Sequence, residues 1–200
     1  MNKRTVHIFI SSPTDVVEER QLAAKVIERL NGVHGDHVTL EAVLWEQQVY
    51  DANRSFQEQI AAIREMDLVV GILWKRIGSE LPSDRFRRDD GSPYKSGTVF
   101  ELEAALACDG CPPVYVFKKT AQIFYSKETF DEEKRQGDLL DAWWDRTFHD
   151  AERHYLRGYE PFATPGAFEQ RLTLAIEGWL DTVRAAKIID GFLPDSAQIT

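Results

Sequence analysis

Apolar positions along the chain fall into short blocks separated by longer amphipathic stretches. Thr5-Val6-His7-Ile8-Phe9-Ile10 reads as a strand that is apolar on both faces at its end. Ser11-Ser12-Pro13-Thr14-Asp15 follows as a turn, with Ser12, Pro13 and Asp15 spaced as a helix start. Val16, Ala23, Val26, Ile27 and Leu30 keep helical spacing as far as Asn31-Gly32, which predicts the helix end. Val38 to Leu44 is a second strand. Residues Asn53 to Met66 read as a second helix, with Ser55 and Glu58 placed as a capping box and Phe56, Ile60 and Ile63 on one face.

Asp67 to Trp74 carries the continuous apolar run Leu68-Val69-Val70-Gly71-Ile72-Leu73, as a strand buried on both faces should. A polar segment, Lys75 to Lys95, contains Gly78, Pro82, Gly91 and Pro93. A loop of that length is uncommon unless functional or mobile, and a mobile lid is the expectation. Thr98 to Cys108 predicts a helix and Val114 to Phe117 a fourth strand. Asp131 to about Asp150 predicts a polar helix carrying Leu139, Leu140, Trp143 and Trp144. Tyr155 to Phe162 holds a short edge strand, and Phe168, Leu172, Ile176, Trp179, Leu180 and Val183 mark a last amphipathic helix. Strand and helix alternate through the first 118 residues. That implies an α/β fold with a doubly wound parallel sheet and helices on both faces. Residues 1–187 are expected to form one domain. Ile188 to Thr200, with Asp190-Gly191, Pro194 and Ser196, reads as a linker toward a further domain.

Composition narrows the function classes. The chain has 200 residues, 43% of them hydrophobic, enough for a sizeable core. No apolar run approaches the roughly 18 residues of a membrane span, and the apolar stretch from Val6 to Ile10 is too short for a signal peptide. A net charge of -9 argues against nucleic-acid wrapping, which needs a basic face. With two cysteines there is no disulfide framework, and a cytoplasmic address is expected. Cys108-x-x-Cys111 ends a helix without a second ligand pair and reads as two ordinary thiols, so no metal is expected. Neither a G-x-G-x-x-G fingerprint nor a P-loop occurs.

Ligands of such sheets sit at the carboxyl ends of the strands, near the switch in strand order. Three loops leave that edge: Ser11 to Asp15, Trp45 to Asn53 and Trp74 to Ser96. Ser96-Gly97-Thr98-Val99-Phe100-Glu101 opens a helix there, with Glu101 expected in its first turn. Glu101 is either a chemical carboxylate at the sheet edge or the partner of Thr98 in a T-x-x-E capping box. Ser11 and Ser12 either bind a phosphate or ribose or simply cap. Trp45 and Trp74, each just past a strand, either stack on a ring or plug the sheet end. Arg76 either pairs with a phosphate or forms a surface salt bridge with Glu80 or Asp84. Glu19 and Arg20 read as a charge pair tying the first helix to a loop, and Glu103 as solvated.

The run from His7 to Arg20 resembles the opening of the TIR-like domains found at the N-termini of STAND-type, NACHT-like ATPases. Trp45-Glu46, Asp67 to Ser79, and Ser96-Gly97-Thr98-x-x-Glu101 continue the likeness in the same order. It covers roughly residues 5 to 120 and implies a flavodoxin-like fold. Some TIR domains cleave NAD at the nicotinamide–ribose bond with a Glu on the helix after the third strand, preceded by a Ser. The resemblance therefore implies Glu101 as the catalytic carboxylate and Ser96 as its companion. Ser96 to Glu101 is also similar to the Gly-Thr-x-x-Glu helix start of nucleoside 2-deoxyribosyltransferases, whose Glu attacks the sugar. The expectation is NAD as substrate rather than cofactor, with Glu101 acting at the anomeric carbon. Trp45 and Trp74 would flank the base or nicotinamide, Ser11, Ser12 and Arg76 would hold ribose and phosphates, and Ser96 and Thr98 at the helix start would also bind the substrate. Self-association is expected of such an effector domain, with no nucleic-acid or membrane partner. A non-catalytic self-associating module, with Glu101 as a helix cap, and a nucleoside-sugar transferase are the alternatives.

Overall fold

The computed structural model describes residues 3–44, 63, 65–82, 84, 86–88, 90–107 and 110–185. Of the helix predicted over 53–66 only Ile63, Glu65 and Met66 are among these, and the linker at 188–200, Trp45 and Cys108 lie outside them. Strand β1 (Arg4–Ser11) leads through a single 3-10 turn (Thr14–Val16) into helix α1 (Val17–His34) and strand β2 (Val38–Leu44). Strand β3 (Leu68–Leu73) precedes helix α2 (Gly97–Leu106), strand β4 (Val114–Lys119) and helix α3 (Phe130–Phe148). The short strand β5 (Glu160–Phe162) and helix α4 (Pro165–Ala185) complete the order. All the strand pairings are parallel, and the sheet runs β2-β1-β3-β4-β5. With helices on both faces, this is a flavodoxin-like doubly wound fold.

The period-2 alternation of the strands sorts the core into two halves. Val6, Ile8 and Ile10 of β1 and Leu68, Val70 and Ile72 of β3 pack under α1 and α4. Phe9, Val69 and Leu73 face the other way, against Val99 and Leu102 of α2 and Leu140 and Trp143 of α3. All six residues of β3 are buried, as its unbroken apolar run requires. Gly71 is the point of closest helix approach. A Cβ there would meet Leu102 Cδ2 at 2.8 Å. Among the described residues, no helix is long and apolar enough to cross a membrane.

Several local expectations change. Helix α1 runs past Asn31-Gly32 to His34, because Asn31 does not stop it; Asn31 Oδ1 instead accepts the Leu40 backbone N–H at 2.8 Å and ties the helix to β2. The segment Lys75 to Lys95 is not a featureless lid. Ile77 and Phe86 are buried, Phe86 and Tyr94 both meet Phe100 of α2 edge-on, and Arg88 forks onto Glu103 at 2.6 and 2.8 Å. Glu103 is therefore not solvated; it also accepts from Trp143 Nε1 at 2.9 Å and from Arg146 at 3.0 Å. Cys111 is disulfide-bonded rather than an ordinary thiol.

Candidate active site

Strand order reverses at β1, which lies between β2 and β3, so the crevice above β1 and β3 is where this topology binds ligands. Register places Ser11, the last residue of β1, beside Gly71. Because Gly71 lets α2 press down through Leu102, the preceding residue, Glu101, is brought to the same corner. Ser11 Oγ donates to Glu101 Oε2 at 2.6 Å, a contact between residues 90 apart in sequence.

The start of α2 settles the capping question. Ser96 is the N-cap: its Oγ accepts the Val99 N–H at 3.2 Å and donates to the Ile77 carbonyl at 2.6 Å. Both capacities of the Ser96 hydroxyl are thus spent on holding the helix start to the 77–79 corner. Thr98 lies inside the helix, no acidic residue occupies its first turn, and Glu101 falls one turn further in. The capping box of Thr98 and Glu101 is not formed. Gly78 makes the corner possible. Its φ of +111° suits glycine, and a Cβ there would meet Thr98 Oγ1 at 2.9 Å and Ser96 Oγ at 3.3 Å.

Ser12 and Asp15 do not cap either. Ser12 Oγ accepts from Arg20 Nε at 2.7 Å, and Arg20 Nη2 donates to the Pro13 carbonyl at 2.6 Å. Asp15 Oδ2 accepts the Lys75 backbone N–H at 3.0 Å, while its buried Oδ1 has no hydrogen-bond partner. Burial holds the Asp15 carboxyl above its ordinary range. Glu19 and Arg20 are not a pair: Glu19 faces Lys119 Nζ of β4 at 2.6 Å.

A cleft of about 200 Å³ opens over this corner, lined by Ser12, Pro13, Thr14, Ser79, Glu80, Leu81, Gly97, Thr98 and Glu101. Glu101 is 4% exposed. Burial pushes its carboxyl up to about 7, opposed by the Ser11 hydrogen bond and the positive charge of Arg20. The cleft thus offers hydroxyl groups and one buried carboxyl group that changes charge near neutral pH. Such a group can accept a proton, attack a carbon or stabilise a neighbouring cation.

Of the residues singled out from sequence, Ser12, Thr98 and Glu101 line this cleft, Ser11 stands directly behind Glu101, and Ser96 lies beneath it. Trp74 and Arg76 are not brought in. Trp74 packs with the core under α1 and α4, its Nε1 donates to the Ala121 carbonyl at 3.1 Å, and the Lys119 ammonium sits 4.4 Å from its ring centre. It plugs the sheet end. Arg76 lies in the field of Asp15, Glu132 and Glu133, and its buried Nε has no partner. The surface pair expected with Glu80 is not made; Glu80 pairs with Arg135 at 2.6 Å. Sequence reasoning missed Arg20 and Asp15 as parts of the site. The signal for Arg20 is its place on the apolar face of α1, three residues before Ala23. Asp150, Glu152 and His154 form an exposed group with metal-ligand chemistry, already closed on itself by an Asp150–His154 contact at 3.1 Å.

No protein-family model matches the chain, and no curated protein matches it. Among solved structures, the apo form of translation elongation factor SelB from Methanococcus maripaludis is similar over 90% of this chain and 36% of its own, with 12% identity and a TM-score of 0.41. The chain spans about a third of that protein's length, and a likeness this distant carries no argument about function.

Proposed function

We propose that this chain is a TIR-like effector domain that cleaves the N-glycosidic bond between nicotinamide and ribose in NAD, in the cytoplasm, as the signalling module of a STAND-type ATPase in bacterial antiphage defence. The observation that carries the reading is the buried Glu101 carboxyl at the strand-order switch, hydrogen-bonded by Ser11 and open to a hydroxyl-lined cleft. The order of motifs from His7 to Glu101 supports it independently. So does the cap at Ser96, which leaves Glu101 without a structural task at the helix end.

In this mechanism the bond between the ribose anomeric carbon and the nicotinamide nitrogen breaks, and its electron pair leaves with nicotinamide. The sugar carbon becomes oxocarbenium-like, and ionised Glu101 stabilises that cation across the cleft. Water then adds to the same carbon and its surplus proton passes through Glu101 to solvent, giving ADP-ribose. The carboxyl must be ionised when the bond breaks, so activity rises with pH through its midpoint. Thr98, which lines the cleft, would hold a ribose hydroxyl, and Ser12, whose Oγ accepts from Arg20, would offer its hydroxyl hydrogen to another. Self-association raises turnover in the proposed effector.

The test is release of nicotinamide from NAD, measured across protein concentrations that span assembly, for wild type and Glu101→Gln. Loss of the charge should cost roughly a hundredfold or more in rate. Equal release by both proteins refutes the role of Glu101. Release by neither in any assembly state refutes the enzymatic reading, and base exchange between nucleosides without NAD cleavage identifies a transferase.

A further inference from the structure

Arg20 is 1% exposed, and a buried guanidinium is costly unless its donors are satisfied and its charge is met. All the acceptors described for it belong to the corner that leaves β1. They are Ser12 Oγ at 2.7 Å, the Pro13 carbonyl at 2.6 Å and, more weakly, the Ser12 carbonyl at 3.4 Å. That corner begins with Ser11, whose hydroxyl points at Glu101. Among the described residues, Glu101 and then Asp15 act on the charge of Arg20. Arg20 and Ser11 do not line the cleft, whereas Ser12, Pro13 and Glu101 do. The arginine therefore stands behind the cleft wall. Glu101 receives its hydrogen bond from Ser11 on Oε2, and Arg20 acts on it through space. On the cleft side the other carboxylate, Glu80, is occupied by Arg135.

We propose that Arg20 is the positioning residue of the Glu101 site: it fixes the Ser11–Pro13 corner that aims Ser11 at Glu101, and it braces the carboxylate from the side away from the ligand. A cation behind the carboxylate keeps part of it ionised despite burial, and the opposite side stays free to face positive charge on a sugar. The role in turnover rests on the glycosidic reading; the effect on Glu101 does not.

The experiment follows Glu101 directly, by NMR titration of protein carrying ¹³C-labelled glutamate, with Glu101→Gln identifying the resonance, and in parallel by the pH profile of nicotinamide release. Arg20→Gln keeps a hydrogen-bonding group without charge; Arg20→Lys keeps the charge without the fork. The Gln variant should move the Glu101 midpoint up by about one to three pH units, the scale for removing an opposite charge nearby, and carry the acid limb of activity with it. The Lys variant should hold the midpoint near wild type. Ser11→Ala should raise it while leaving Arg20 in place, and serves where Arg20→Gln does not fold. An unmoved midpoint in folded Arg20→Gln or in Ser11→Ala overturns the proposal, as does a rate loss that is the same at every pH in both Arg20 variants. If wild type cleaves no NAD, the functional reading falls and the titration still decides this one.

Discussion

Replacing Glu101 with Gln should make the protein more stable at high pH and leave the balance nearly unchanged at low pH. A Glu in an unfolded chain titrates near 4.5, and in the folded protein burial raises Glu101 to about 7. Between those values the folded state binds a proton that the unfolded state has released, so stability falls as pH rises through that window. The full difference is about 2.5 pH units, or ~3 kcal/mol, reached above pH 8. Gln has no charge to desolvate, and its amide oxygen still accepts from Ser11. The variant-minus-wild-type stability should therefore climb by ~3 kcal/mol from pH 4.5 to pH 8.5, whatever constant offset the amide introduces. In a protein of this size that is roughly 6–12 °C in Tm. Urea denaturation of both proteins across that range, read as a difference, isolates Glu101 from the other titrating groups. A helix-capping glutamate predicts the opposite sign, a loss of about 1 kcal/mol once the side chain ionises. A difference that stays flat, or that turns against the Gln variant as pH rises, refutes the claim that Glu101 is held by desolvation.

If ionised Glu101 is the working form, as proposed, nicotinamide release by wild type should rise with pH and reach half its plateau near pH 7; a pH-independent rate between 5.5 and 8.5 contradicts this. Gly78→Ala should cost about 1–3 kcal/mol in urea denaturation, since φ is +111° and the new Cβ would press on Thr98 Oγ1. Gly71→Ala should cost about 1–3 kcal/mol by pushing Leu102 off the sheet, and because Glu101 adjoins Leu102 it should also weaken activity. Arg88→Ala strips Glu103 of its fork and should free the 75–95 segment; limited proteolysis should cut there first, with α2 and the sheet still protected.

What the sequence made legible follows from the range over which each signal acts. Strand β2 falls where its apolar pattern predicts, and β3 is buried throughout because a run without polar positions has no solvent face to offer. These are signals of burial, which one residue and its neighbours suffice to encode. The hydroxyl and charged groups of the site are different. Ser12 followed by Asp15, and Thr98 followed by Glu101, both carry the spacing of a cap, yet neither caps. Ser12 is taken by Arg20, Asp15 by the Lys75 backbone 60 residues on, and Glu101 by Ser11 across 90 residues. Local spacing cannot show that a distant partner competes for the same oxygen. The surroundings of Glu103 are hidden from local spacing for the same reason, since its partners Arg88, Trp143 and Arg146 come from a loop and another helix.

The division of the sheet edge has a physical cause with consequences for any ligand. Side chains alternate faces along β1 and β3, so Phe9, Ser11 and Leu73 share the α2 side while Trp74 turns to the side of α1 and α4. Trp74 follows the end of β3 on one face, and Glu101, from α2, meets Ser11 at the end of β1 on the other. A ring stacked on Trp74 would therefore not bring its sugar to Glu101. Asp15 sharpens the separation: tied to the Lys75 backbone, it stands in the fields of Arg20 on the Glu101 side and of Arg76 and Lys118 toward β4. The cleft lining combines the hydroxyls of Ser12, Thr14, Ser79 and Thr98 with two carboxyl groups, Glu101, which is buried, and Glu80, which is paired with Arg135. On the proposed reading that lining suits a sugar held by its hydroxyls at Glu101, with the phosphates kept clear of the two carboxyl groups.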